Sequence, residues 1–226
     1  MSRINTSEQI YEQLRDEIMF LEILPGEFIS EMETAARFGV SRTPIRDVFK
    51  RLEYEGMLKI MPQKGTFVSL IDMSHLSDMM YLREKLELAV IGDIVDTMSN
   101  TDLVKLKLLL LKQKSLVEEE LNLIQRSKQF IIADNEFHSL IFNLVGKDSL
   151  WEMISHTTPH YHRFRALNNL QNENVLDMLF EDHIRILELL EQREKTELEN
   201  LYKKHIYGGV ANMAQIISKN QDYFIV

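Results

Sequence analysis

The sequence predicts a mainly α-helical protein made of two parts, and three observations support this prediction. After residue 72, apolar residues recur at the three- and four-residue spacing of helices that face a core. Before residue 72 the elements are short, and three of the four prolines of the chain fall there. Two β-type stretches, "MLKI" and "TFVSL", are joined there by the turn sequence "MPQKG". The sequence therefore predicts one domain over residues 1–72 and an all-α domain over residues 73–226.

The composition is that of a soluble globular protein, with 226 residues of which 45% are hydrophobic and 27% charged. There is no cysteine, so disulfides and thiolate zinc sites are excluded, and any metal must be held by histidine and carboxylate. The N-terminal "MSRINTSEQIYEQ" is too polar for a signal peptide, and no apolar run approaches the roughly 20 residues that span a bilayer. These features predict a cytoplasmic protein that makes no contact with a membrane.

Charge is unevenly distributed along the chain. The formal net charge is −9, which argues against nucleic-acid binding by the protein as a whole. Residues 40–66, however, carry six basic and three acidic side chains. An acidic protein with such a basic patch can bind DNA through that patch.

Three short helices are predicted in the first domain. Apolar residues at helical spacing place the first helix over residues 7–21, and "LPGEF" ends it. Ser30 begins an S-x-x-E capping box that opens the second helix, which Gly39 ends. Ser41 is expected to cap the third helix, and Gly56 closes it.

The third helix and the hairpin after it have the pattern of a winged helix-turn-helix. Arg42, Arg46 and Lys50 are spaced four apart and lie opposite the apolar face of the helix. A short capped helix, a glycine turn and a second helix that begins with basic residues is helix-turn-helix geometry. The hairpin would form the wing. Lys64 at its tip could contact a DNA phosphate, and Gly65 would allow the backbone to approach a DNA groove closely. The alternative is a solvated charged helix face.

The second domain is predicted to be an antiparallel bundle of six helices. "LKLLLLK" is apolar almost all round, so its helix is expected to be buried on two sides, either within the core or at a dimer contact. The six predicted helices cover residues 74–98, 101–122, 125–145, 147–169, 173–191 and 194–219.

Four ionisable side chains fall on the inward faces of three of these helices. Asp134 and His138 lie one turn apart within "ADNEFHSLIF", and His183 and His205 fall within the apolar stripes of two later helices. A buried histidine alone is more often a hydrogen-bonded core residue, and a metal-free ion pair is the alternative here. A divalent cation would, however, satisfy all four groups at once. Aspartate with three histidines suits Zn²⁺, Ni²⁺ or Mn²⁺, and Zn²⁺ is the first expectation.

The N-terminal motif resembles a known family. "GVSRTPIR", "RLEYEGML" and "KGTFV" are close to the signature of the winged-helix domain of GntR-type bacterial transcription regulators, and the likeness runs from about residue 8 to residue 72. The resemblance implies that Arg42, Thr43 and Arg46 enter the major groove of DNA. It also implies that the wing reaches the minor groove near Gly65.

Residues 74–219 resemble the ligand-binding domain of the FadR-type branch of these regulators, and six helices point to the shorter, VanR-like sub-branch. The family pattern is D-x3-H followed by two further histidines. Asp134, His138, His183 and His205 match it with spacings of 4, 45 and 22 residues. The resemblance implies a metal at the floor of a cavity that binds a small organic acid.

Arginines are the candidates to bind the carboxylate of that acid. "YLREKLELAV" resembles the start of the family domain, and Arg83 matches its cavity-facing arginine. Arg163 and Arg165 are further candidates, of which one is expected to point inward and one to solvent. His160 and His162 are expected at the surface or around the metal ligands.

Three functions are consistent with these features. The first is a transcription regulator, a homodimer on a near-palindromic DNA operator, whose binding is controlled by a small organic acid. The second is a metal sensor in which the ion itself is the signal. The third is a metal-dependent enzyme, which would leave the winged helix unexplained and for which no general base with distinctive spacing is found.

Overall fold

A computed structural model of the protein describes residues 6–118, 121–156, 159–172 and 174–225. The N-terminal elements are α1 (Ser7–Met19), β1 (Phe28–Ile29), α2 (Glu31–Phe38), α3 (Arg42–Tyr54), β2 (Leu58–Met61) and β3 (Gly65–Val68). The C-terminal elements are β4 (Ile71–Asp72), α4 (Met73–Thr97), α5 (Asn100–Glu118), α6 (Leu123–Leu144), α7 (Asp148–His156), α8 (Pro159–Gln171), α9 (Val175–Gln192), α10 (Lys195–Gly208), α11 (Met213–Lys219) and β5 (Phe224–Ile225). The mainly α-helical fold class is therefore confirmed.

Residues 6–70 form three helices and a small antiparallel sheet in the order β1-β3-β2. The β2–β3 hairpin is the predicted wing, and its last pair is Met61 with Gly65. Gly65 has a φ of +110°, and a Cβ there would clash with the Phe28 ring. Glycine is thus required at this position by the turn and by its neighbour in β1.

The ends of the N-terminal helices follow the predictions at three of four positions, including Gly56, which follows the end of α3 with a φ of 75°. The Ser30 hydroxyl accepts a hydrogen bond from the Glu33 backbone N–H at 3.3 Å. Gly39 ends α2 in the left-handed region, with a φ of 66°. Ser41 occupies the N-cap position of α3, but its side chain accepts no capping hydrogen bond, so that part of the prediction is wrong.

The C-terminal part is all-α, but two of the six predicted helices each correspond to two helices. The predicted helix 147–169 corresponds to α7 and α8, and the positions between them lie outside the described residues. The predicted helix 194–219 becomes α10 and α11, because Asn212 adopts a left-handed conformation with a φ of 59°. Eight helices rather than six therefore occupy the described residues after 72. Positions 119–120, 157–158 and 173, which the predicted helices included, lie outside them.

The apolar helix α5 packs against α6 and α9 on one side only. Leu106 and Leu110 are buried, whereas Leu108 and Leu111 are 60% and 62% exposed. In the single chain the expected burial on two sides is therefore wrong. The dimer contact that was the alternative stays a prediction.

The segment that connects the two parts is held by the C-terminal end of the described chain. Ile71 and Asp72 of β4 pair in parallel with Phe224 and Ile225 of β5.

Among the described residues, no helix combines the length and apolarity that crossing a membrane requires. The division of the chain at residue 72 stays a prediction.

Candidate DNA interface and candidate metal centre

The helix α3 presents one buried face and one basic face. Ile45 and Phe49 are among the residues with which it packs into the N-terminal core. Four residues expected to contact DNA lie on its exposed side, namely Arg42, Thr43, Arg46 and Lys50. Lys64 is also exposed, at the tip of the β2–β3 hairpin. These exposed residues therefore form a basic face on α3 and a basic tip on the wing.

Glu31, which the sequence analysis did not single out, organises this face. It is the first residue of α2, and its carboxylate accepts hydrogen bonds from Arg42 Nη2 at 2.9 Å and from Arg46 Nη2 at 3.3 Å. The hydrogen bonds from Arg46 and Arg42 lower the pKa of Glu31. Both arginines remain more than half exposed, so Glu31 orients them without covering them.

The four predicted metal ligands meet in the core of the C-terminal part. Asp134 and His138 come from α6, His183 from α9 and His205 from α10, and one ligand atom of each lies within 4.8 Å of the others. His205 Nε2 is 3.0 Å from His183 Nε2 and 3.3 Å from His138 Nε2. Asp134 Oδ1 is 3.6 Å from His183 Nε2 and 3.8 Å from His138 Nε2. The inward stripes of three helices therefore bring these side chains to one point.

Two of the histidines are oriented by acceptors on their far side. His183 Nδ1 is 2.7 Å from Gln113 Oε1, and the same amide donates its Nε2–H to the Ala133 carbonyl, which fixes its orientation. His205 Nδ1 is 3.3 Å from Asp182 Oδ2. Because oxygen acceptors face Nδ1, the proton of each neutral ring lies on Nδ1 and the lone pair on Nε2.

The third histidine is oriented by a buried carboxylate. His138 Nδ1 lies 2.9 Å from Glu87 Oε2 and 2.7 Å from the Tyr202 hydroxyl, which itself donates to Glu87 at 3.0 Å. Burial acts to raise the pKa of Glu87, but the charge of Arg83 and the hydrogen bonds from Arg83 and His138 outweigh it and hold that pKa at about 2. Glu87 is thus ionised and accepts the Nδ1 proton of His138.

This donor set fits a divalent cation. Burial lowers the pKa of His183 and of His205, so both rings are neutral at pH 7. Burial acts to raise the pKa of Asp134, but the charge of the Arg165 guanidinium outweighs it, so the carboxylate is ionised. Nitrogen lone pairs that face one another at 3.0–3.3 Å repel unless a cation or a proton lies between them. Histidines whose other nitrogen is held by an acceptor are typical metal ligands.

Two of the three candidate arginines lie beside these ligands. Arg83 donates to Glu87 and to the Tyr161 hydroxyl, and its guanidinium lies 4.8 Å from the centroid of the Tyr161 ring. Arg165 donates from Nη2 to Asp134 Oδ2 at 2.6 Å and from Nη1 to the Asn135 side chain at 3.2 Å. The cavity between the arginines and the ligands has a volume of about 10 Å³. Such a volume holds roughly one water molecule.

Arg163 lies elsewhere, and the expectation that one of the two α8 arginines points to solvent is wrong. Arg163 is fully buried and donates to the Ser69 carbonyl at 2.6 Å. His160, expected at the surface or around the ligands, is half-buried and accepts a hydrogen bond from the Asp72 N–H at 3.0 Å. His162 is also half-buried.

Sequence reasoning missed the residues that orient the three histidines. Glu87 follows Arg83 by one helical turn and Asp182 directly precedes His183, so both could have been noticed from spacing. Gln113 gives no such signal, because it follows an apolar run and shares no motif with the ligands.

A winged helix-turn-helix joined to a helical domain with a buried ligand cluster defines a DNA-binding regulator. Comparisons with known proteins agree. Residues 6–68 match the family described as "Bacterial regulatory proteins, gntR family", and residues 78–208, more than half of the chain, match the FCD domain. The chain therefore belongs to the GntR family, in the branch that carries a C-terminal FCD domain.

The relatives are transcription regulators, not enzymes. The HTH-type transcriptional repressor RspR of Escherichia coli (strain K12) is 27% identical over 218 residues, which cover 96% of this chain and 93% of that protein. The Nta operon transcriptional regulator of Aminobacter aminovorans is 28% identical over 193 residues, which cover 85% and 87%. The solved structure of E. coli McbR/YncC shows the same fold, with a TM-score of 0.69 at 20% identity over 96% of this chain and 99% of that one. The enzyme hypothesis is thereby set aside.

Proposed function

We propose that this regulator binds a near-palindromic operator as a homodimer, and that a small carboxylic acid controls the binding from a metal-containing cavity. One observation supports the proposal most. Three histidine Nε2 atoms and one carboxylate oxygen converge on a point, while all three Nδ1 atoms face acceptors.

Asp134, His138, His183 and His205 would hold the metal. They supply one oxygen and three nitrogen donors, a set that suits Zn²⁺ and also admits Ni²⁺ or Mn²⁺. Because the candidate ligands come from α6, α9 and α10, they would hold three helices to one ion. When bound, the metal would supply a Lewis acid for a carboxylate oxygen.

The charge balance of the site supports an anionic effector. Among the buried groups, Arg83 and Arg165 are balanced by Glu87 and Asp134. A divalent ion adds two positive charges, of which the partly exposed Asp182 beside His205 offsets one. Arg83 and Arg165 are the residues that would hold the carboxylate, since guanidinium groups bind carboxylates through two parallel hydrogen bonds. Arg163, engaged with Ser69, is no longer a candidate for this role.

At the other end of the chain, the exposed face of α3 would read the operator. Arg42, Thr43 and Arg46 would contact base edges in the major groove. Lys50 would add a phosphate contact from the same face, and Lys64 would add one from the wing tip near Gly65. One such helix reads few base pairs, so two copies related by a two-fold axis are needed for selectivity. We expect the protein to bind its operator in the cytoplasm.

The proposal is tested by metal content and acid binding together. Protein purified without added metal and dialysed should contain about one divalent ion per chain by elemental analysis. A panel of small mono-, di- and tricarboxylic acids is then titrated calorimetrically into the metal-loaded and the EDTA-treated protein. We expect an acid that binds the loaded protein only and that changes its affinity for operator selected from random DNA. Acid binding that is equal with and without metal would refute the metal-containing pocket.

The small cavity favours a second candidate function, a metal sensor. A volume of about 10 Å³ holds no organic acid unless the walls move, whereas four ligand atoms within 4.8 Å need little rearrangement around an ion. The two functions separate when operator affinity is followed against buffered free Zn²⁺ in the absence of any acid. A sensor releases or gains DNA over that titration. An acid-controlled regulator keeps its metal through dialysis and responds only to the acid.

A further inference from the structure

Helix α8 contacts the buried site with one arginine and the DNA-binding part with another. Arg165 donates to the predicted metal ligand Asp134 at 2.6 Å. Arg163, two residues earlier, points the other way and donates from Nη1 to the carbonyl of Ser69 at 2.6 Å. Ser69 directly follows β3, the second strand of the wing. One helix therefore joins the two functional regions through residues two positions apart.

The hydrogen bonds of Arg163 are unusual for a buried charge. The side chain is fully buried, and among the described residues no carboxylate lies within ion-pair distance of it. Burial lowers its pKa to about 10, so it still carries its charge at neutral pH. Its guanidinium is satisfied by the Ser69 carbonyl, the Ser69 hydroxyl at 3.1 Å, the Pro159 carbonyl at 3.2 Å and His160 Nδ1 at 3.2 Å. A buried charge held only by neutral acceptors keeps them in place, because losing one leaves it poorly solvated.

Ser69 links Arg163 to the end of the recognition helix α3 through hydrogen bonds. Its hydroxyl accepts from Arg163 and donates to the Gly56 carbonyl at 2.6 Å, and its N–H donates to the Met57 carbonyl at 2.9 Å. Gly56 and Met57 follow the C-terminal end of α3. A second contact runs in parallel, since His160 on α8 accepts the N–H of Asp72 at 3.0 Å. Both contacts hold the segment between the wing and α4.

We propose that Arg163 transmits the state of the buried site to the recognition helix through Ser69 and Gly56. The relay rests on the proposed metal site, because a metal bound by Asp134 fixes Arg165 and with it the position of α8. Arg163 moves with α8, and through Ser69 it sets how firmly the end of α3 is held. Arg163 is a positioning residue in this scheme, since it touches neither the metal nor DNA.

Hydrogen–deuterium exchange of the full-length protein tests the relay without a known operator or acid. Exchange is compared in Zn²⁺ and in EDTA for the wild type, for Arg163→Gln and for the matched control Arg185→Gln, which alters an exposed arginine on α9. In the wild type, Zn²⁺ should slow exchange of the ligand-bearing helices and, at least threefold, of residues 52–57. In Arg163→Gln the bundle effect should persist and the effect on residues 52–57 should vanish. Arg185→Gln should behave as the wild type.

The outcomes separate the relay from the metal site. If Arg163→Gln keeps the Zn²⁺ effect on residues 52–57, or the wild type lacks it while its bundle responds, the relay is wrong and the metal site stands. If Zn²⁺ slows exchange nowhere in the wild type, the metal site fails and the relay fails with it. Should Arg163→Gln not fold, Ser69→Ala removes the hydroxyl between Arg163 and Gly56 with a smaller change. It should at least halve the Zn²⁺ effect on residues 52–57, and an undiminished effect would refute the relay.

Discussion

Replacing His138 by alanine separates the metal from ordinary packing in the stability of the bundle. The ring is buried, with Nε2 among the proposed ligand atoms and Nδ1 against Glu87 and Tyr202. Losing the ring removes one hydrogen bond from each of two buried groups that keep other partners, and at roughly 0.5–1.5 kcal/mol per hydrogen bond this costs about 1–3 kcal/mol. Losing the metal removes the stabilisation that binding adds, about 2.7 kcal/mol at a hundredfold excess over the dissociation constant. The total is therefore roughly 4–6 kcal/mol.

These two contributions are distinguished by melting with and without chelator. At about 2–4 °C per kcal/mol for a chain of this size, EDTA should lower the Tm of the wild type by roughly 5–10 °C. His138→Ala should melt lower than the chelated wild type, and EDTA should change its Tm little. The control Phe142→Leu alters a buried residue of the same helix that packs on Trp151, so it should lose stability yet keep the full EDTA shift. Calorimetry or circular dichroism gives all the melting temperatures.

One result would refute the metal site and leave the DNA-binding assignment unchanged. If the wild type contains no stoichiometric ion and EDTA leaves its melting unchanged, the cluster is a metal-free network of one aspartate and three histidines. His138→Ala would then lose only the hydrogen-bond contribution.

Three further predictions concern DNA and assembly. Arg42→Ala or Arg46→Ala should weaken operator binding by about 1–3 kcal/mol in fluorescence anisotropy if that arginine reads a guanine edge, and wild-type affinity in both would contradict the helix-turn-helix assignment. Lys64→Ala should weaken binding to all sequences alike and reduce the slope of log K against log salt by about 1, and a sequence-dependent loss would mean that the wing reads bases. Light scattering at micromolar concentration should give a dimer, and a monomer that still binds operator tightly would count against two half-sites.

The sequence predicted that the four candidate ligands meet because their pattern is local to each helix. Residues four apart share a helix face, so Asp134 and His138 had to point together, and His183 and His205 lay in apolar stripes that had to face the core. Burial of several ionisable groups in one core is costly unless they meet, and in the structure they do. Nothing beyond single-helix periodicity was needed for this step.

The partners of the ligands could not be predicted in the same way. Gln113 reaches His183 from α5, and Glu87 reaches His138 from α4, across sequence separations of 70 and 51 residues. Such contacts depend on which helices become neighbours, and periodicity within one helix does not fix that. A buried cluster of candidate ligands is therefore easier to predict from sequence than the residues that orient it.

The two arginines of α8 show a similar limit of prediction from the sequence. Two positions along a helix differ by about 200°, so Arg163 and Arg165 were correctly expected to point in different directions. The other direction was expected to face solvent. Here that side packs against the segment after the wing, and Arg163 is buried there. Because α8 lies against the segment after the wing, it has no solvent-exposed side at Arg163.

The size of the cavity indicates how an acid would act through the same helix. At about 10 Å³ the site cannot admit an acid of several heavy atoms unless one wall moves. The α6, α9 and α10 walls carry the ligands, and α4 is held to them by Glu87, which contacts both His138 and Tyr202. The α8 wall is held to the ligands through Arg165, and Arg165 is also the group that a carboxylate would recruit. Acid binding should thus release α8 where metal binding holds it, so the two ligands should have opposite effects on the α3 end that Ser69 anchors.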